Sequence, residues 1–171
     1  MVNCALVTDK TDLSGVGIYL NWYGNRGFVE AYLGFCKLKK YPSPETDCKG
    51  WACLGATISN HLNGQNVGIC HANEHTEEVS HANGIYIIKD WTIVARIHQP
   101  FKEKDELTEK NLRKTIMEIN VQQPPEMQLT ADERPLVSEM CAAIIKARDA
   151  VNVLSRQPEG MEYYKKKKDS L

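Results

Sequence analysis

The spacing of apolar residues predicts two β-hairpins in this chain. Residues 2–8 and 15–22 form the first, because apolar side chains alternate along 15–22 as they do in a strand with one buried face. Residues 84–97 form the second, because both of its arms are rich in β-branched and aromatic residues around a Lys-Asp turn. A short strand at 66–70 lies between the hairpins.

Apolar residues that recur at steps of three and four predict amphipathic helices. These helices span residues 28–40, 51–63, 105–119 and 136–155. Because the strands come mostly in hairpins, the pattern predicts an α+β fold with a largely antiparallel sheet, helices on one face and two C-terminal helices. We expect a single domain over 1–160 and a basic, disordered tail over 161–171.

Composition and charge narrow the class of protein. The chain has 171 residues, of which 42% are hydrophobic and 25% charged, with a net charge of −1. So balanced a charge argues against nucleic-acid binding. No leader peptide or apolar stretch of membrane-spanning length is present, so we expect a cytoplasmic protein without membrane contact. In that compartment the six cysteines should be free thiols, with Cys36 and Cys141 buried in the core.

The link between the second strand and the first helix is the strongest candidate for a binding site. Free N–H groups and the helix dipole favour an anion at a helix N-terminus, and an arginine can grip phosphate or carboxylate with two hydrogen bonds. An aromatic side chain in the link could stack on a base. The predicted ligand-binding residues are Trp22, Tyr23, Asn25, Arg26 and Gly27. The alternative is a tight turn in which Arg26 pairs with a surface acid. The absence of a glycine-rich phosphate-binding fingerprint favours this alternative.

Cysteines and histidines in the middle of the chain raise the question of metal binding or thiol catalysis. The group comprises Cys48, Cys53, Cys70, His71, His75 and His81, the last four within or next to a long polar stretch at 71–83. The spacing matches no standard zinc motif. Cys70 and His71 are adjacent, which places their side chains on opposite sides of a strand rather than in contact. We therefore expect no metal, no cofactor and no catalytic residues, and the sequence favours a protein without enzymatic activity.

Half of the chain resembles an uncharacterised family of small proteins from bacteria, phages and other mobile elements. The resemblance covers residues 15–97 and rests on four segments, YLNWYGNR (19–26), YPSP (41–44), DxxGWA (47–52) and NGxYxIxDWxIVxR (83–96). It implies a mobile-element setting but no activity and no site residues.

Three functions are compatible with this sequence. The first is a protein that binds a small anion or nucleotide, and in the phage or mobile-element setting it could act against host defence by sequestering a host signal. The second is a protein–protein interaction module or homo-oligomer that acts on a host factor and uses the wide apolar stripe of residues 136–155. The third is a thiol- or metal-dependent hydrolase.

Overall fold

The computed structural model of the protein describes residues 3–97 and 108–148, together with the backbone of 152–154. These residues form the predicted α+β fold. The strands are β1 (Ala5–Thr8), β2 (Val16–Leu20), β3 (Val67–His71), β4 (Ile85–Lys89), β5 (Thr92–Ile97) and β6 (Asn152–Leu154). The helices are α1 (Arg26–Leu38), α2 (Lys49–His61), α3 (Thr76–Ser80), α4 (Glu109–Val121) and α5 (Val137–Ala147).

The strands form one mixed sheet in the order β3-β2-β1-β4-β5-β6. Strands β1–β2, β2–β3 and β4–β5 pair antiparallel. Strands β1–β4 and β5–β6 pair parallel. The mostly antiparallel character expected from the sequence is confirmed, and the centre of the sheet is a parallel seam between β1 and β4.

The turn between β4 and β5 has the left-handed geometry of a tight hairpin. Asp90 and Trp91 have φ values of +47° and +57°, and positive φ at both central residues lets a two-residue turn follow the twist of its strands. An aromatic residue rarely adopts this conformation. Here Trp91 is buried, and its Nε1 donates a hydrogen bond to the carbonyl of Tyr41 at 2.9 Å. The indole therefore anchors the turn to the core.

Four helices pack on one face of the sheet and enclose the larger core. α1 lies at the centre of this layer and contacts α2, α4 and α5. Its fully buried side chains include Tyr32 and Phe35, and Cys36 is buried beside them, as predicted. Cys141 of α5 is also buried, as predicted.

The expectation that helices cover one face alone was wrong. The stretch 71–83, expected to be a loop, contains the five-residue helix α3 on the opposite face. Val79 of α3 is buried there with Leu6 and Ile85, in a second, smaller core. A helix this short contains only one inward-facing apolar residue, so it has no periodicity from which to predict it.

The predicted helix over 136–155 was too long. Helix α5 ends at Ala147, and Asn152–Leu154 instead forms β6 beside β5. The open hydrogen-bonding edge of β5 offers this segment backbone partners that compete with continued helix, and a short apolar run fits either structure. The predicted tail at 161–171 lies outside the described residues. Among the described helices, none combines the length and apolar character needed to cross a membrane.

Candidate functional site

In the predicted binding loop, the polar side chains of Asn25 and Arg26 make hydrogen bonds and ion pairs within the protein. Asn25 is the N-cap of α1, and its side-chain oxygen accepts a hydrogen bond from the backbone N–H of Phe28 at 3.1 Å. Gly27 lies in the first turn of α1. Trp22 and Tyr23 are 49% and 39% exposed, so the two aromatic side chains of the loop remain accessible.

Arg26, the predicted anion contact, belongs to a partly buried ion-pair cluster. Its Nε lies 2.8 Å from Oε1 of Glu30, one turn along α1. Arg148, just beyond α5, contacts the same carboxylate, with Nη2 at 2.6 Å from Oε2. The carboxylate thus joins α1 to the end of α5, and its single negative charge lies between two positive ones. The sequence alternative of an arginine paired with an acid describes this arrangement, except that Glu30 is buried.

An aromatic cluster lies beside the loop. Tyr23 packs edge-on against Phe28, with ring centroids 4.8 Å apart. The hydroxyl of Tyr32 lies 2.7 Å from Nδ1 of His61, at the end of α2. Desolvation by burial lowers the pKa of His61. The imidazole is then neutral near pH 7, and its tautomer decides whether Nδ1 accepts the hydrogen bond from the phenol or donates to it.

We expect this histidine to make the protein less stable in mild acid. Because its pKa is lower in the folded than in the unfolded state, the folded protein binds fewer protons near pH 6. The free energy of unfolding therefore falls as pH drops below the ordinary histidine pKa of about 6.5. Urea titrations between pH 5 and 7.5 should show a smaller fall in His61→Asn than in the unchanged protein. An equal fall in both proteins would contradict this assignment.

A cavity of about 370 Å³ lies between α1, α5 and the β4–β5 turn. Its apolar lining comes from all three elements: Leu33, Leu38, Trp91, Ile93, Leu136, Met140, Ala143, Ile144 and Ala147. Small-molecule sites in proteins occupy about 300–1,000 Å³ and are mostly apolar with a few polar groups. The cavity has the size and lining of such a site.

The charged side chains that line the cavity are mainly basic. They are Arg26, Lys37, Lys40 and Arg148, against Glu30 and Glu139. Both arginines pair with Glu30, and Lys37 pairs with Asp90 at 3.0 Å. Lys40 makes no ion pair with any residue of 3–97 or 108–148. Among the residues that the structure describes, Lys40 is therefore the one lining cation that pairs with no acid.

Arg26 is the one predicted site residue that lines this cavity. Sequence reasoning missed the rest, because the cavity is made by elements distant in the chain. Its one sequence signal was the width of the apolar stripe on α5, which we assigned to self-association. Leu136, at the start of that stripe, is 44% exposed. Self-association through this helix stays a prediction.

The cysteine and histidine group is divided by the sheet. Cys53 lies in α2 on the face of the four helices, whereas Cys70 packs against the smaller core on the other face. All six cysteines are free thiols. Desolvation raises the pKa of Cys70, and the charge of Glu74 raises it further. A nucleophilic cysteine needs a thiolate, and this environment disfavours the thiolate of Cys70.

Comparison with protein-family models, curated proteins and solved structures finds no match for this chain.

Proposed function

We propose that the protein binds a small anionic molecule with an apolar body, and that the cavity between α1, α5 and the β4–β5 turn is the binding site. The observation that carries the proposal is the cavity itself, whose walls are apolar and whose lining includes Lys40, a lysine without an ion-pair partner in the part of the chain that the structure describes. Burial of an apolar body would supply most of the affinity. An anionic group at Lys40 would fix the orientation.

The lining of α1 sets the shape of the ligand. It runs along α1 from Arg26 to Leu38 and continues to Lys40 just beyond the helix, and at 1.5 Å per residue the helix itself spans roughly 18 Å. The Arg26–Glu30–Arg148 cluster lies toward one end and Lys40 toward the other. An elongated molecule suits this outline better than a compact ion such as phosphate.

We further propose that a nucleotide is one candidate for this ligand. Trp91 lines the cavity together with Ile93, and aromatic side chains stack on nucleotide bases. The resemblance of residues 15–97 to proteins of phages and mobile elements gives such binding a biological role, the sequestration of a host signal. An alkyl carboxylate or alkyl phosphate is the competing ligand class for the same chemistry.

A thermal-shift screen tests the proposal. The probes are nucleotides, cyclic nucleotides and medium-chain alkyl carboxylates and phosphates, with inorganic phosphate as the reference for a bare anion. A ligand at one hundred times its Kd stabilises a protein by about 2.7 kcal/mol. In a chain of this length that raises Tm by about 5–10 °C. We expect such a shift for at least one organic class and none for inorganic phosphate.

Two matched substitutions on α5 locate the binding. Both alanines are exposed, but Ala143 lines the cavity and the neighbouring Ala142 does not. Ala143→Phe should therefore abolish the shift, and Ala142→Phe should leave it unchanged. Lys40→Gln should weaken binding of anionic members without lowering stability, and Arg26→Ala should weaken it too. No shift with any probe, or equal shifts in both phenylalanine variants, would overturn the proposal.

A further inference from the structure

Three potential metal ligands converge on the face of the sheet that lies opposite the cavity. Cys70 is in β3, and Glu74 and His75 are in the short link between β3 and α3. One ligand atom from each of these side chains lies within 4.8 Å of the other two. The three residues supply a thiol, a carboxylate and an imidazole, which together are a donor set found around zinc.

The imidazole of His75 is held by groups that are not among the three ligands. Its ring stacks on Tyr19 of β2, with centroids 4.1 Å apart and planes 19° apart. Its Nδ1 lies 3.2 Å from Oε2 of Glu78, in α3. A carboxylate on one ring nitrogen fixes the tautomer in which the other nitrogen carries the lone pair, and metal-binding histidines usually have such a partner. Glu78 thus leaves Nε2 of His75 as the ring nitrogen available to a metal.

The backbone around the cluster is also tied down. The N–H of Ala72 donates to the carbonyl of Gly15, and the N–H of Glu74 donates to the carbonyl of His71. The N–H of Val79 donates to the carbonyl of His75. A link fixed at both ends keeps the three side chains together and reduces the entropy lost when a ligand orders them.

We propose that Cys70, Glu74 and His75 form a binding site for one divalent transition-metal ion, with Zn²⁺ as the preferred metal. Zinc bonds of about 2.0–2.3 Å place tetrahedral ligand atoms roughly 3.3–3.8 Å apart, so the side chains reach bonding distance by small rotations. A thiolate and a carboxylate neutralise the ion. The three side chains leave a fourth position for water or another ligand, as in zinc sites that remain open.

The site discriminates among metals by its sulfur. A thiolate selects zinc over magnesium and calcium, which prefer oxygen ligands. Although burial raises the pKa of the Cys70 thiol, a bound cation reverses that penalty, because coordination deprotonates the sulfur. His71 does not join the ligands in this arrangement: its Nδ1 lies 2.7 Å from Oδ1 of Asn73.

Titration of the reduced, chelator-treated protein with Co²⁺ tests the site. Coordination by Cys70 should produce thiolate-to-cobalt charge-transfer absorption that saturates at one equivalent, and Zn²⁺ should displace the cobalt and abolish the band. Cys70→Ser and His75→Gln should each remove the band, with the fold checked by circular dichroism. Glu78→Gln should weaken binding by about 10–100-fold, the usual effect of losing a carboxylate behind a histidine ligand.

Cys48→Ser is the matched control, because Cys48 is the most accessible cysteine and lies at the start of α2. It should keep the full band. Absence of the band in the unchanged protein would overturn the site, as would a band that survives Cys70→Ser or disappears in Cys48→Ser. The site is separate from the ligand cavity, so Ala143→Phe should bind cobalt normally.

Discussion

Replacing Glu30 with alanine should lower the free energy of unfolding by about 3 kcal/mol, because it removes a buried carboxylate that contacts two partly buried guanidinium groups. Glu30 is 5% exposed, and both Arg26 and Arg148 contact its carboxylate. The substitution removes an ion pair within α1 and the ion pair that attaches the end of α5 to α1. Urea denaturation followed by circular dichroism measures the change.

Glu139→Ala is the matched control for Glu30→Ala. Glu139 lines the same cavity but is exposed, and it makes no ion pair with the residues of 3–97 and 108–148. Its replacement should change the free energy of unfolding by less than about 0.5 kcal/mol. Equal effects of the two substitutions would show that the ion-pair cluster does not hold α5 in place.

Replacing Gly24 with alanine should destabilise the protein by about 3 kcal/mol, the upper part of the range for overpacking. An added Cβ would lie 2.6 Å from the backbone nitrogen of Ala5 and 2.7 Å from its Cβ. Ala5 is fully buried in β1, so it has no room to retreat. The N–H of Gly24 also donates to the carbonyl of Asn3 at 2.9 Å. Thermal and urea denaturation both measure the loss.

Gly68→Ala separates this close packing from the general effect of adding a methyl group. Gly68 lies in β3, and a Cβ built there meets nothing within 4 Å. We expect its replacement to be neutral or slightly stabilising, because alanine restricts the unfolded chain. If Gly24→Ala were as harmless as Gly68→Ala, the close contact of Gly24 with Ala5 would not constrain the loop.

Sequence patterns predicted the helices and strands whose buried face is determined by the spacing of apolar residues within one segment. The arms at 84–97 became β4 and β5, and the periodic stretches near 28–40 and 51–63 became α1 and α2. Pairing between distant segments has no such signal. The parallel contact of β1 with β4 and the exchange of helix for strand at Asn152–Leu154 depend on which edge of the sheet is open.

The candidate site shows the same limit. The loop around Arg26 carries residues suited to an anion, but Asn25 caps α1 and Arg26 pairs with Glu30. Such internal partners are invisible until the fold is known. The cavity and the Cys70–Glu74–His75 cluster each need at least two elements in register. The sequence therefore supplied suitable side chains and could not say which of them meet.

The parallel seam at the centre of the sheet determines how the protein reaches its native state. Each antiparallel hairpin can form as soon as its own few residues are available, but Leu6 must find Ile85 across 79 positions of chain. Closing so long a loop costs conformational entropy before the contacts between the two strands can stabilise it, and this slows folding. On the ribosome, the N-terminal hairpin must therefore wait with one edge open until β4 emerges, and α1 and α2 are synthesised in time to shield its apolar face.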